Sequence, residues 1–245
     1  MRYRKTIISG DVLEIEEYTT HLALDQCRPR GGKQGKTDDV KAEANRRNSL
    51  KKLCRLINAN FGEGDLFVTL THAEEIGATA ADKELTNFLR RLKRYRKKEN
   101  LPPLKYIGVT ESGARREHHH LIVNAISRDA IDSLWGKGRA MTSRIEPGGD
   151  YTGLAIYITK DQHEPGKRRW RQSKNLKKPE VAVKKLKSNK VKKLYPPKGY
   201  VTVESYEYYS QWGGAAAYLK AVRSGGCDIG GTINEPVERY RPARR

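Results

Sequence analysis

The sequence predicts an α+β fold: a central antiparallel sheet with helices packed on it, extended by a basic arm. Three observations carry this. Short apolar runs of strand character, such as Leu66-Phe67-Val68-Thr69-Leu70-Thr71-His72, are separated by segments whose apolar residues recur at helical spacing. Through the middle of the chain the order is strand, helix, hairpin, helix, strand, helix. That order suits an antiparallel sheet with helices on one face better than a doubly wound parallel sheet. After residue 160 the composition turns abruptly basic and loses most of its apolar residues.

The elements follow in order. Val12 to Tyr18 reads as a strand, and Arg28 to Asp38 as a loop rich in Gly, Arg and Lys. Residues 39–61 place Leu50, Leu53, Cys54 and Ile57 on one helical stripe, with Gly62 as the stop. Leu66 to His72 is a strand with a buried face. A long helix over 79–99 opens at Thr79 as N-cap and carries Leu85, Phe88, Leu89 and Leu92 on one stripe. It closes on Lys93-Arg94-Tyr95-Arg96-Lys97-Lys98 before Pro102 and Pro103. Tyr106 to Val109 and Glu117 to Asn124 form a hairpin, followed by a helix near 128–136, a strand near 140–146 and a helix near 150–160. Between 161 and 198 fourteen Lys and Arg face three Asp and Glu, which reads as an extended arm that orders on a phosphate backbone. Tyr200 to Tyr209 then reads as a strand, Ala215-Ala216-Ala217-Tyr218-Leu219 as a helix packing back on the core, and 234–245 as a disordered tail.

The balance of charge limits the partners. The chain of 245 residues carries 49 Lys and Arg against 29 Asp and Glu, a net charge of +20, which favours a polyanion and points to nucleic acid. No run approaches the roughly 18 apolar residues of a membrane span, and no signal-peptide core follows Met1, so no membrane partner is expected. Cys27, Cys54 and Cys227 are odd in number and far apart, against a disulfide framework or a zinc site. A reducing cytoplasm is the expected compartment.

The chemistry concentrates in Glu117-His118-His119-His120-Leu121-Ile122-Val123-Asn124. On a strand His118 and His120 share one face, roughly 7 Å apart, and His119 points to the other. If Tyr106 to Glu111 is the preceding hairpin strand, Glu111 lies beside the pair. Two imidazoles and a carboxylate with open positions suit a divalent cation, Mg²⁺ or Mn²⁺, acting as Lewis acid on a phosphate oxygen. In Tyr157-Ile158-Thr159-Lys160 a phenol and an ammonium stand three residues apart on one helix face, a nucleophile with a cation to help it. The bland alternative is a set of surface histidines on a strand end and an ordinary exposed Tyr–Lys pair.

Taken in order, Phe67-Val68-Thr69-Leu70-Thr71, then Glu111 with His118-His119-His120, then Tyr157-Ile158-Thr159-Lys160 resemble the three motifs of the HUH endonuclease superfamily. The resemblance is in particular to rolling-circle replication initiators of single-stranded DNA phages and small plasmids, and it covers about residues 66–160. It implies a nuclease core over 66–160, preceded by a strand and helix in 1–65 and followed by the basic arm (161–198), a C-terminal unit (199–233) and the tail. It implies a metal held by His118, His120 and Glu111, with Tyr157 as nucleophile and Lys160 as its helper. The implied reaction nicks single-stranded origin DNA to give a 5′-phosphotyrosine and a free 3′-OH, which the host replication machinery of a bacterial cytoplasm extends. DNA would lie on Lys93, Arg94, Arg96, Lys97 and Lys98 of the long helix and on Arg168, Arg169, Trp170, Arg171, Lys177 and Lys178 of the arm. Two features depart from the pattern. His119 stands where an apolar residue is usual, and the other nearby phenol, Tyr151, is out of phase with Tyr157, so a single-tyrosine enzyme is expected. A transposase or relaxase of the same chemistry, or a basic nucleic-acid-binding protein without catalysis, remain the alternative readings.

Overall fold

The computed structural model describes residues 1–20, 39–112, 117–160, 169–188, 190, 192–210 and 214–224. The loop expected at 28–38 and the tail expected at 234–245 lie outside the described residues. The chain is α+β, with helices packed on antiparallel sheet. In chain order the elements are β1 (Arg2–Ser9), β2 (Val12–Thr19), α1 (Asp39–Asn58), β3 (Leu66–His72), α2 (Ala78–Lys98), β4 (Tyr106–Ser112), β5 (Glu117–Val123), α3 (Arg128–Trp135), β6 (Gly138–Arg144), α4 (Thr152–Thr159), β7 (Arg171–Gln172), β8 (Glu180–Leu186), β9 (Tyr200–Ser210) and β10 (Gly214–Arg223).

Among the described residues the strands form two five-stranded sheets. The order β6-β3-β5-β4-β7 makes the site sheet, and β8-β1-β2-β10-β9 makes the outer sheet. Helices cover both faces of the site sheet, not one as expected, because β3 to β5 are apolar on both sides at the end remote from the histidines. One face places Leu66, Val68, Leu70, Leu121 and Val123 against Leu85, Phe88, Leu89 and Leu92 of α2 and against Ile131 and Trp135 of α3. The other sets Ile107, Ile122 and Phe67 against Leu53 and Ile57 of α1 and Ala155 and Ile158 of α4. Each such aliphatic or aromatic side chain, fully buried, contributes about 1.5–3 kcal/mol.

The opposite flank of α1 meets the outer sheet, so α1 lies between the two sheets. Arg55 Nε donates to Glu14 Oε1 of β2 at 2.8 Å, and Lys220 Nζ of β10 lies 2.6 Å from Asp150 Oδ2, just before α4. At the β1–β2 turn Gly10 has φ +61°, and a Cβ there would strike the carbonyl of Asn58 at the end of α1. Only glycine permits both the turn and that approach.

Several elements differ from expectation. Strand β1 carries two arginines among few apolar residues, which masks its alternation, yet Arg2 is buried because Glu17 pairs with it. Residues 215–219 form part of β10 and not a helix. Three alanines favour a helix locally, but β10 is hydrogen-bonded on both sides, to β2 and β9, and Ala216 and Ala217 are buried where small side chains fit. The basic stretch 161–198 is extended but not detached: β7 pairs with β4, and β8 pairs with β1 from Arg2↔Leu186 to Ile8↔Glu180. Helix α2 starts without the expected Thr79 cap; its N-cap is Gly77, which makes no side-chain cap.

Candidate active site

The register of β3, β4 and β5 assembles the site. Thr69 is opposite His120 and Thr71 opposite His118 on one side of β5, while Glu111 is opposite His118 on the other. Alternation puts all five side chains on the α1/α4 face, as the spacing of the sequence predicts for His118, His120 and Glu111. His120 Nε2 lies 2.8 Å from Glu111 Oε2. Both imidazoles are oriented from behind: His120 Nδ1 lies 3.1 Å from Thr69 Oγ1, and His118 Nδ1 lies 3.1 Å from Thr71 Oγ1.

Tyr157 comes from α4, whose Ala155 and Ile158 point into the core and leave the phenol on the flank. Its ring meets the His120 ring edge-on at 5.7 Å and the Phe67 ring edge-on at 5.7 Å, while Phe67 stacks on His120 at 5.9 Å. Tyr157 is 47% exposed, open to a ligand on the solvent side. Lys160, one turn on, holds Nζ 5.1 Å from the ring centroid. The start of α4 is anchored by Asp150, which accepts from Thr152 Oγ1 at 2.8 Å and Asn58 Nδ2 at 3.4 Å besides pairing with Lys220. These partners, Lys220 foremost, hold its carboxyl below the usual range although burial opposes them.

His119 faces the other way. It is fully buried, with Nε2 3.1 Å from His72 Nε2 and Nδ1 3.0 Å from Thr110 Oγ1, and it packs against Trp135. Burial, reinforced by His72, pushes its pKa down to about 3, so the ring is neutral. Two neutral imidazoles sharing one proton satisfy each other in an apolar layer, which accounts for a histidine where an apolar residue is usual.

Other tyrosines are placed elsewhere. The Tyr151 hydroxyl, at the far end of α4, donates to the Glu146 carbonyl. On the outer sheet Tyr218 donates to Glu14, and burial pushes the Tyr206 phenol up to about 12.

The expected DNA-binding residues do not form one surface. Lys93, Arg94, Lys97 and Lys98 are exposed at the C-terminal end of α2, which covers the sheet face opposite Tyr157 and the histidine pair. Arg96 is buried at 2% exposure, and its guanidinium donates to the carbonyls of Pro102, Asn124 and Ala125. It therefore ties α2 to the sheet and leaves the phosphate-binding set. The helix period carries that signal, since 85, 89, 92 and 96 fall on one stripe. Arg171 pairs with Asp82 of α2 on that same remote face. By contrast Arg169 and Trp170 line a small cleft with Thr159 of α4 and Arg46 of α1, on the Tyr157 side. Lys177 and Lys178 are exposed, with the Lys177 backbone bonded to Asn60 beyond α1. Arg168 lies outside the described residues. The sequence alone assigns no role to Thr69, Thr71 or Phe67; only the pairing of β3 with β5 reveals it.

As a cation site the donor set fits in kind: two imidazoles fixed through Nδ1 and a carboxylate on the same face. Among the described residues no group of three His, Cys, Asp or Glu side chains is already drawn together tightly enough to hold a metal.

Residues 65–162, the stretch bearing every element of this site, match a family model described as Replication-associated protein, of the ORF2 type. The match supports a replication-initiator-like protein with a role in DNA replication. A solved structure, the hypothetical protein ORF119 from Sulfolobus islandicus rod-shaped virus 1, is similar at 14% identity, over 49% of this chain and 99% of that one. Its TM-score of 0.36 is too low to bear on fold or function. No curated protein matches. No helix among the described residues is long and apolar enough to cross a membrane.

Proposed function

We propose that this protein is an HUH-type replication initiator that nicks single-stranded origin DNA through Tyr157 and later rejoins it. The observation that carries the reading is the edge-on contact of Tyr157 with His120, the same imidazole that Glu111 holds at 2.8 Å. A candidate nucleophile and candidate ligands from three separate segments meet within one family-matched stretch.

The short His120–Glu111 contact requires a proton between Nε2 and the carboxylate. A divalent cation, Mg²⁺ or Mn²⁺, held by His118, His120 and Glu111 would replace that proton and supply Lewis-acid polarisation of the scissile phosphate. Thr69 and Thr71 keep the two rings facing it. Tyr157 attacks phosphorus in line; the Oη–P bond forms as the P–O3′ bond breaks. The phenolic proton is lost, and the departing oxygen takes up a proton as the free 3′-OH. Lys160, beside the ring, favours the phenolate. Reversal of the same transesterification reseals the strand without ATP. The 3′-OH would be extended by host polymerase in the cytoplasm.

The test is incubation of the full chain with single-stranded oligonucleotides and Mn²⁺, followed by denaturing electrophoresis. A protein band shifted by covalent DNA is expected. Persistent absence of the adduct across candidate origin strands and metals would leave the non-catalytic binder as the reading.

A further inference from the structure

We propose that a cavity on the far face of the outer sheet binds the phosphodiester backbone of a nucleic-acid strand, apart from the Tyr157 site. Residues Glu14, Tyr218 and Lys220 face α1 and α4, so their strand neighbours Ile15, Glu17 and Leu219 face away from them. On that far side, after β8, the chain folds back over the sheet, seating Leu194 on Ala217, Leu219 and Ile15. Between this segment and the sheet lies a cavity of about 410 Å³, within the size range of ligand sites.

Its lining is built for an anion. Among the described residues Arg2, Arg4, Lys187, Lys190, Lys192 and Lys193 line it, against the single carboxylate of Glu17. Glu17 is already engaged twice, by Arg2 and by Arg4 Nε at 2.8 Å, so the lysines face the cavity with no carboxylate in its lining left to answer them. Arg2 is 2% exposed, and its Nε is buried without a hydrogen-bond partner. A buried donor left this way costs stability unless something supplies an acceptor. A phosphate oxygen would do so, and its charge would offset the surplus of cations.

The rim selects the anion. Tyr195 is 72% exposed, and Lys193 Nζ stands 5.8 Å from its ring centroid. An exposed ring beside phosphate-binding cations is the pairing that holds single-stranded nucleic acid, with a base on the ring and the backbone on the lysines. An acidic protein surface offers the charge but no flat base for Tyr195.

The experiment uses the full chain without divalent cation, so its outcome does not depend on nicking. A fluorescein-labelled oligothymidylate carrying one 5-bromouracil is titrated across salt concentrations and then photo-crosslinked. Crosslinks mapping to Tyr195 are expected, and they should persist in Tyr157→Phe. Lys187→Ala with Lys193→Ala should lower the log–log salt slope by about 1.4, at roughly 0.7 per single-strand phosphate bound. Tyr195→Ala should weaken binding about five- to a hundredfold with the slope unchanged. All three residues are exposed, so these variants should fold. Crosslinks elsewhere with unaltered slope and affinity would overturn the proposal. So would polyglutamate binding equally tightly and losing affinity equally in the variants, or inorganic phosphate binding while strand affinity is the same in wild type and variants.

Discussion

His72 Nε2 and His119 Nε2 lie 3.1 Å apart, buried behind the sheet whose other face carries His118 and His120. Burial depresses both, His119 to about 3. A histidine whose folded pKa lies below its unfolded value of about 6.5 lets the unfolded chain take up protons first as the solution is acidified. Stability should be constant above that value and should fall as the pH drops below it toward 3, by at most about 1.4 kcal/mol per pH unit for His119. Urea unfolding between pH 8 and pH 4.5 measures this, and His119→Gln should flatten the slope. A flat wild-type profile over that range would show the folded protein holding charged rings there.

Replacing His118 or His120 by Ala should abolish nicking, whereas Thr71→Val, which disturbs only the orientation of His118, should lower metal affinity or activity about 10–100-fold. His119→Ala should behave differently. It empties a buried space and strands Thr110 and His72, costing about 2–4 kcal/mol of stability, while activity per folded molecule persists. Equal loss of activity from all three alanine variants, corrected for folded fraction, would refute the assignment of faces.

Tyr157→Phe keeps the ring contacts with Phe67 and His120 and should retain fold and DNA binding while eliminating the covalent adduct. Lys160→Ala should slow nicking without stopping it. Mass spectrometry of the trapped adduct decides: a nucleotide on Tyr151, Tyr206 or Tyr218 would refute the nucleophile.

Asp150→Ala should destabilise the fold by about 3–5 kcal/mol, since it leaves Lys220 buried without its carboxylate, and should loosen the start of α4. With a folded pKa below the unfolded 3.8, the contribution of Asp150 is present above that value and fades as acid protonates the carboxylate. Denaturant midpoints at pH 7 and pH 3 should therefore differ more for the wild type than for Asp150→Ala.

Neutralising Arg169, Lys177 and Lys178 should weaken binding of the nicked strand and reduce the salt slope by up to about 0.7 for each phosphate no longer bound. Neutralising Lys93, Arg94, Lys97 and Lys98 should leave nicking unchanged. Deleting residues 167–193 is no clean test of the arm, because it removes β7 and β8, an edge strand of each sheet.

The candidate site is legible in the sequence because a period of two suffices to put His118 and His120 on one face, and a hairpin suffices to bring Glu111 beside them. Thr69 and Thr71 are not, since their role depends on which strand lies next to β5, a choice made by packing over distance. Arg96 is hidden because five cations in six residues look like a solvated face, although its helical phase matches Leu85, Leu89 and Leu92. The alanines of β10 mislead because local propensity favours a helix until two neighbouring strands offer hydrogen bonds. The arm is read from charge alone, which says nothing of Val181 and Val183 pairing against β1.

The outer sheet joins the two ends of the described chain: Arg2 pairs with Leu186 and Glu17 with Ala217. During synthesis β1 and β2 emerge first and wait for partners made last. Meanwhile β3 to β6 emerge together and can pair among themselves, with only the short edge strand β7 to follow. The sheet carrying the histidines is thus built from contacts close in sequence, and the sheet behind α1 from distant ones that form slowly. A ribosome stalled before residue 214 would hold the histidine and tyrosine segments complete while β2 still presents an open edge. Translation from β9 through β10 therefore sets when that edge closes and when Lys220 reaches Asp150.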